Sequence, residues 1–158
     1  MIRLPHILVA TDFGDAAEAA LRYGRELART FGASLHVLHV MENTFLRPVP
    51  GDPYLLKAAA VKHLAERISD DDRVVLHAVA MLETSDSPAD EIVKYAAAHQ
   101  VGLIVMGTHG RGGVARMLVG SVAEKVVRTA SCPVLTVRHP EHEFVLDAAP
   151  NDKAGGQS

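Results

Sequence analysis

The chain predicts an α/β fold: an open five-stranded parallel sheet with helices on both faces, Rossmann-like in its general plan. Three observations predict it. Short apolar runs alternate with longer segments whose apolar residues recur at three and four. The first of these runs, Ile7 to Ala10, is continuously apolar, as in a strand covered on both faces. A glycine-rich loop, Gly107 to Ser121, stands between one such run and a helical segment.

His6-Ile-Leu-Val-Ala-Thr11 reads as the first strand and ends at Asp12. Ala16 to Phe31 reads as a helix, with Ala17, Ala20, Leu21, Gly24, Leu27, Ala28 and Phe31 on one face and Gly32 as its stop. Ser34 to Met41 is the second strand. Glu42 to Pro53 contains three prolines and a glycine and reads as a loop or lid. Tyr54 to Ile68 is helical, Asp70-Asp71-Asp72 a solvated polar turn, and Arg73 to Leu82 the third strand. Ser87-Pro88 starts a helix that runs to about His99, with serine at the N-cap, proline at the first helical position, and Asp90 and Glu91 near the positive end. Val101 to Met106 is the fourth strand, Ser121 to Thr129 the last helix and Pro133 to Val137 the fifth strand. The resulting order is βαβαβαβαβ, which requires crossover helices and hence a parallel sheet. Residues 1–138 form the predicted domain. Residues 139–158, polar and ending in GGQS, read as a flexible tail.

The bulk properties narrow the function. A chain of 158 residues suits a single domain with a real core. Hydrophobic content of 48% and a net charge of −3 fit a soluble protein and argue against a general nucleic-acid binder. The single cysteine, Cys132, excludes an internal disulfide framework. The opening apolar run is too short for a signal peptide, and no stretch is long enough to cross a membrane, so a cytoplasmic location is the expectation.

The chemistry concentrates in GTHGRGGVARMLVGS. Gly107, Gly110, Gly112 and Gly113 fall within seven residues, and Gly120-Ser121 opens the next helix. Glycines let backbone N–H groups approach an anion, and a helix N-terminus adds unpaired donors and partial positive charge. Arg111 and Arg116 add mobile charge. The loop is not a Walker A sequence, because no lysine-serine pair follows the last glycine. Asp12 reads either as a turn carboxylate ahead of Gly14 or as a ligand group at a strand carboxyl end, with the ligand role preferred. A Mg²⁺ ion accompanying bound phosphates would take their oxygens plus one or two from the protein. His109 reads as a solvated loop residue. His36 and His39, three apart on a strand, point to opposite faces and make a poor metal site. Cys132 reads as a small buried hydrophobe rather than a redox thiol.

These residues resemble the nucleotide-binding branch of the universal stress protein family, marked by G-x2-G-x9-G-[S/T] after the fourth strand. Gly107, Gly110, Gly120 and Ser121 fit that spacing without a gap. Ile7 to Asp12 is similar to the family's first strand and acidic residue, and Ser131 to Val137 to its closing strand. The resemblance covers roughly residues 3 to 138. It implies strand order 3-2-1-4-5, ATP or a related adenine nucleotide (ADP or AMP) as cofactor, and a homodimer built along strand five, Val134 to Val137. It places Asp12 near the ribose or adenine, the Val40 backbone at the adenine, and Gly107, Gly110, Arg111, Gly120, Ser121 and Val122 around ribose and phosphates. Thr11 and Met106 complete the nucleotide-binding candidates. The segment Glu83 to Ser87 departs from the glycine-containing turn that often precedes the family's third helix. No catalytic residue and no resident metal site is assigned. The reading is a regulatory nucleotide-binding protein of the stress response, with a slow ATPase and a nucleotide-free dimeric interaction protein as alternatives.

Overall fold

The computed structural model describes residues 1–43, 50–108 and 119–139. Five strands are present: β1 (His6–Ala10), β2 (Ser34–Glu42), β3 (Val79–Ser85), β4 (Leu103–Gly107) and β5 (Val134–Val137). They form one sheet in the order β3-β2-β1-β4-β5, and every pairing is parallel. The winding direction therefore reverses between β1 and β4, which pair directly, Ala10 opposite Met106. A crevice beyond the carboxyl ends of these two strands is a consequence of that order.

Strand alternation sends successive side chains to opposite layers. Ile7 and Val9 of β1, Leu35 and Val37 of β2 and Val105 of β4 pack with α1 (Asp15–Phe31) and with Leu64 of α2 (Pro53–Glu66). Leu8, Ala10, Leu38, Ile104 and Met106 pack on the other face with α4 (Pro88–Ala98) and α5 (Ser121–Thr129). Both layers are close. A Cβ on Gly24 of α1 would collide with the Val9 side chain, so the glycine lets the helix backbone settle directly on β1. Gly32 ends α1 in the left-handed conformation at φ 64°, its N–H donating to the Ala28 carbonyl.

The third strand and the acidic run depart from the sequence expectation. Asp70–Val75 is a short helix, α3, and β3 begins only at Val79, so two helices separate β2 from β3. The cause is a reciprocal cap. Ser69 Oγ accepts the Asp72 N–H, and an Asp72 carboxylate oxygen accepts the Ser69 N–H, both at 3.0 Å. Asp72 is not solvated: it is 1% exposed, and Arg25 Nε of α1 donates to both its oxygens at 3.1 and 2.9 Å. The chain leaves α3 through His77 at φ 46°, and the Leu76 carbonyl accepts the Leu35 N–H beside β2.

Three local expectations stand, for the start of α4, for the histidine pair and for Cys132. Ser87 is the N-cap residue of α4 and Pro88 its first helical position, although the serine side chain makes no capping bond. Its hydroxyl accepts instead from Lys125 of α5 at 3.2 Å, and the same ammonium reaches Asp90 at 2.7 Å. His36 and His39 do point to opposite faces, His36 toward Tyr95 of α4 and His39 toward Phe13. Cys132 is partly buried against the α4–α5 layer, and burial raises its thiol pKa. Among the described residues, no helix is long and apolar enough to cross a membrane.

Candidate functional site

A cavity of about 300 Å³ opens at the carboxyl ends of β1, β2 and β4, where the sheet reverses direction. Its size is that of a small-molecule site. Eight of the ten predicted site residues line it: Thr11, Asp12, Val40, Met106, Gly107, Gly120, Ser121 and Val122. Gly110 and Arg111 lie outside the described residues, as do His109, Gly112, Gly113, Arg116, the middle of the loop between β2 and α2, and residues 140–158.

One wall is the start of α5. Gly120 is its N-cap, in extended conformation, and has no side chain with which to cap the helix. The first intrahelical bond is donated by Glu124 to the Gly120 carbonyl. Among the described residues the amides of Ser121, Val122 and Ala123 have no backbone acceptor, and these three residues line the cavity. Aligned peptide dipoles give this end a partial positive charge. Gly120 is anchored by donating its N–H to the Thr108 carbonyl, while the Thr108 N–H donates to Val137 at 2.9 Å. Thr108 is 5% exposed, so the frame that presents the helix end is buried.

Gly107 has a more specific reason to be glycine than the loop motif suggested. A Cβ there would lie 2.7 Å from Ala16 Cβ and 2.9 Å from the Ala16 carbonyl carbon. The end of β4 thus abuts the first turn of α1, and any side chain would drive the two apart. Its role in shaping the cavity is close packing, not an unusual backbone conformation.

Asp12 combines the two readings made from the sequence. One carboxylate oxygen accepts the Gly14 N–H at 2.9 Å, forming the turn that leads into α1. The residue also lines the cavity. The lining also has an apolar part, with Leu38 and Val40 from β2 and Pro88 and Ile92 from α4. No cluster of three or more His, Cys, Asp or Glu among the described residues could hold a metal ion.

Sequence reasoning missed part of this lining. Pro88 and Ile92 were read only as helix-forming residues, and His39 only as half of a divergent histidine pair. His39 lines the cavity and donates from Nδ1 to the Thr11 carbonyl at 2.7 Å. Because a carbonyl can only accept, this contact fixes the proton on Nδ1. The one available signal was the position of His39 near the carboxyl end of a strand.

Known proteins agree with this architecture. The model of the Universal stress protein family matches residues 4–138. A universal stress protein of Methanocaldococcus jannaschii is 34% identical over 145 residues, covering 87% of this chain and 84% of that protein. One from Thermus aquaticus is 36% identical, covering 84% and 97%. Among solved structures, universal stress protein UspA from Lactobacillus plantarum superposes with a TM-score of 0.73 at 27% identity, covering 87% of this chain and 100% of that one. The universal stress protein from Archaeoglobus fulgidus, solved in complex with dAMP, gives 0.63 at 27% identity and covers 87% and 99%. The sheet order, the reversal crevice and a match running from before β1 to the end of β5 lead to one assignment: the chain belongs to the universal stress protein family.

Proposed function

We propose that the cavity binds an adenine nucleotide and that the protein works as a nucleotide-dependent regulator. The observation that carries this reading is the convergence, in one cavity, of the uncapped start of α5 with the Asp12 carboxylate and the apolar lining of Val40 and Ile92. Phosphate oxygens would accept from the Ser121 and Val122 amides, Asp12 would accept from ribose hydroxyls, and the base would lie between β2 and α4. Gly110 and Arg111 belong to the same glycine motif and would complete the phosphate side. The relative from Archaeoglobus fulgidus, which carries dAMP, supports an adenine nucleotide as ligand. ATP is the proposed physiological form. Mg²⁺ would enter on the phosphates, with Asp12 and Glu42 the carboxylates that line the cavity. Calorimetric titration with ATP, ADP and AMP tests the reading: saturable binding is expected in the wild type and loss of it in Gly110→Val. Absence of binding at millimolar nucleotide refutes it.

Regulation needs a second surface, and β5 supplies one. Among the described residues it is an edge strand with no partner on its outer side, and Leu135 is 36% exposed with Val127 of α5 at 53% nearby in sequence. Pairing of two copies along Val134–Val137 would close that edge and give the nucleotide-bound state a dimer to bias. Sedimentation of the wild type as a dimer and of Leu135→Asp as a monomer is the expected result; identical profiles count against this interface.

A further inference from the structure

The residue between Asp12 and Gly14 is Phe13, and it has φ 65°. A bulky side chain is unfavourable in the left-handed region, where glycine or asparagine would be relaxed. Phenylalanine persists there because its ring is held on several sides. The ring centroid is 4.4 Å from that of His39 on β2, and His63 of α2 meets it edge-on at 5.6 Å. The guanidinium carbon of Arg67, at the end of α2, stands 5.5 Å over the ring. Arg67 is itself fixed by donating from Nε to Glu18 of α1.

The bonds around Phe13 lead into the cavity. Its N–H donates to Thr11 Oγ1 at 3.0 Å. The next amide, Gly14, donates to the Asp12 carboxylate at 2.9 Å. His39, tilted against the ring, also donates to the Thr11 carbonyl. Both Thr11 and Asp12 line the cavity, whereas Phe13 does not. The strained residue thus faces away from the ligand space, and the residues on which it acts face toward it. Strain that survives beside a binding cavity points to a role in shaping it.

We infer that Phe13 is a positioning residue of the nucleotide site: the clamp of His39, His63 and Arg67 on its ring holds the left-handed turn that aims Asp12 and Thr11 into the cavity. This rests on the nucleotide reading above. It also makes α2 part of the site at second hand, since His63 and Arg67 touch the ring and not the cavity.

The test titrates AMP into wild type, Phe13→Gly, Phe13→Tyr, Asp12→Asn and the Phe13→Gly/Asp12→Asn double variant. Amide hydrogen exchange is followed in the ligand-free proteins. Glycine relaxes the backbone but releases the clamp, so AMP affinity is expected to fall about tenfold, or about 1.4 kcal/mol. Tyrosine keeps the ring and is expected to bind like the wild type. In the Asp12→Asn background the Phe13→Gly change should cost little, because the carboxylate it aims is gone. A merely structural role would lower both backgrounds equally. Equal losses, or wild-type affinity in Phe13→Gly, overturn the inference. Wild-type protein that binds neither AMP nor ATP refutes the nucleotide reading instead. The turn is then judged by exchange at Gly14 relative to β1 amides: faster exchange in Phe13→Gly supports the clamp, and unchanged exchange overturns it.

Discussion

Replacing Asp72 by alanine should destabilise the protein by about 3 kcal/mol, although Asp72 lies far from the cavity in sequence and contributes nothing to its lining. The carboxylate is 1% exposed and receives Arg25 Nε on both oxygens and the Ser69 N–H. Loss of the carboxylate's half of the reciprocal cap, the acceptor for the Ser69 N–H, is worth up to about 1 kcal/mol, while the residue 72 N–H keeps its bond to Ser69 Oγ. Loss of hydrogen bonds to a charged group, with the Arg25 donor left short of its acceptor, adds about 1.5–3 kcal/mol. The upper end approaches the cost of breaking a buried pair by removing one member, about 3–5 kcal/mol. Partial exposure of Arg25, whose side chain is 24% accessible, lets water take up some of the loss and favours the lower figure. For a domain of this size about 3 kcal/mol corresponds to a drop in Tm of roughly 6–12 °C. Asp72→Asn keeps one acceptor and should lose less than alanine.

The same carboxyl has a pH signature. Burial pushes its pKa up, but the Ser69 amide and the Arg25 guanidinium outweigh burial and hold it below the ordinary 3.8. A depressed acid pKa means that the stabilisation is present above the unfolded value and is lost as pH falls below it. Urea denaturation at pH 7 and at progressively acid pH should therefore show the wild type and Asp72→Ala converging below about pH 4. A loss smaller than about 1 kcal/mol at pH 7, or a gap that persists unchanged into acid, would refute the energetic role given to the Arg25–Asp72 pair.

His36 should produce a second acid dependence, at higher pH. Burial, with smaller contributions from the nearby His6 and His99, lowers its pKa from 6.5 to about 4. The neutral form is favoured on folding, so stability is full above pH 6.5 and declines toward pH 4, by at most about 1.4 kcal/mol per pH unit. Between pH 6.5 and 5, His36→Gln should flatten the wild-type slope of unfolding free energy; parallel curves would count against it. At the site, Gly107→Ala should push β4 and α1 apart, because the added methyl meets Ala16 backbone at 2.9 Å. Overpacking of this kind costs about 1–3 kcal/mol, and nucleotide affinity should fall with it. A variant with wild-type stability and affinity would show that α1 yields freely there.

What could be read from the chain depends on whether a residue's role is local. Ile7 to Ala10 and Leu103 to Met106 are continuously apolar, and Leu35 to Leu38 is broken only by His36, because these strands lie in the middle of the sheet. β3 is an edge strand whose first two residues, Val79 and Ala80, are exposed, and although Val79 to Leu82 is also apolar, that run does not show where the strand begins. The apolar Val74 to Leu76 just upstream joined it and carried the expected strand start six residues early, from Val79 back to Arg73. Only a serine-to-aspartate reciprocal cap, Ser69 with Asp72, distinguished helix from strand there, and an aspartate in an acidic run looks like solvated charge until Arg25 is placed against it across 47 residues.

The site divides the same way. Gly120 and Ser121 were legible because a helix start is a property of neighbouring residues, and Asp12 because strand ends gather ligands in sheets of this winding. The spacing selects Gly107, which lines the cavity, but its proximity to Ala16 follows from how α1 lies on β4. Pro88 and Ile92 enter the cavity only because α4 covers the β2 side of the reversal. Phe13 gave no signal at all. Its significance lies in a backbone angle and in three rings and a cation brought together from β2, α2 and the turn after β1, and no periodicity encodes a meeting of that kind. Where a motif supplies the ligand-facing atoms, the residues that aim them are to be sought one layer behind, at strained backbone that the surrounding packing holds in place.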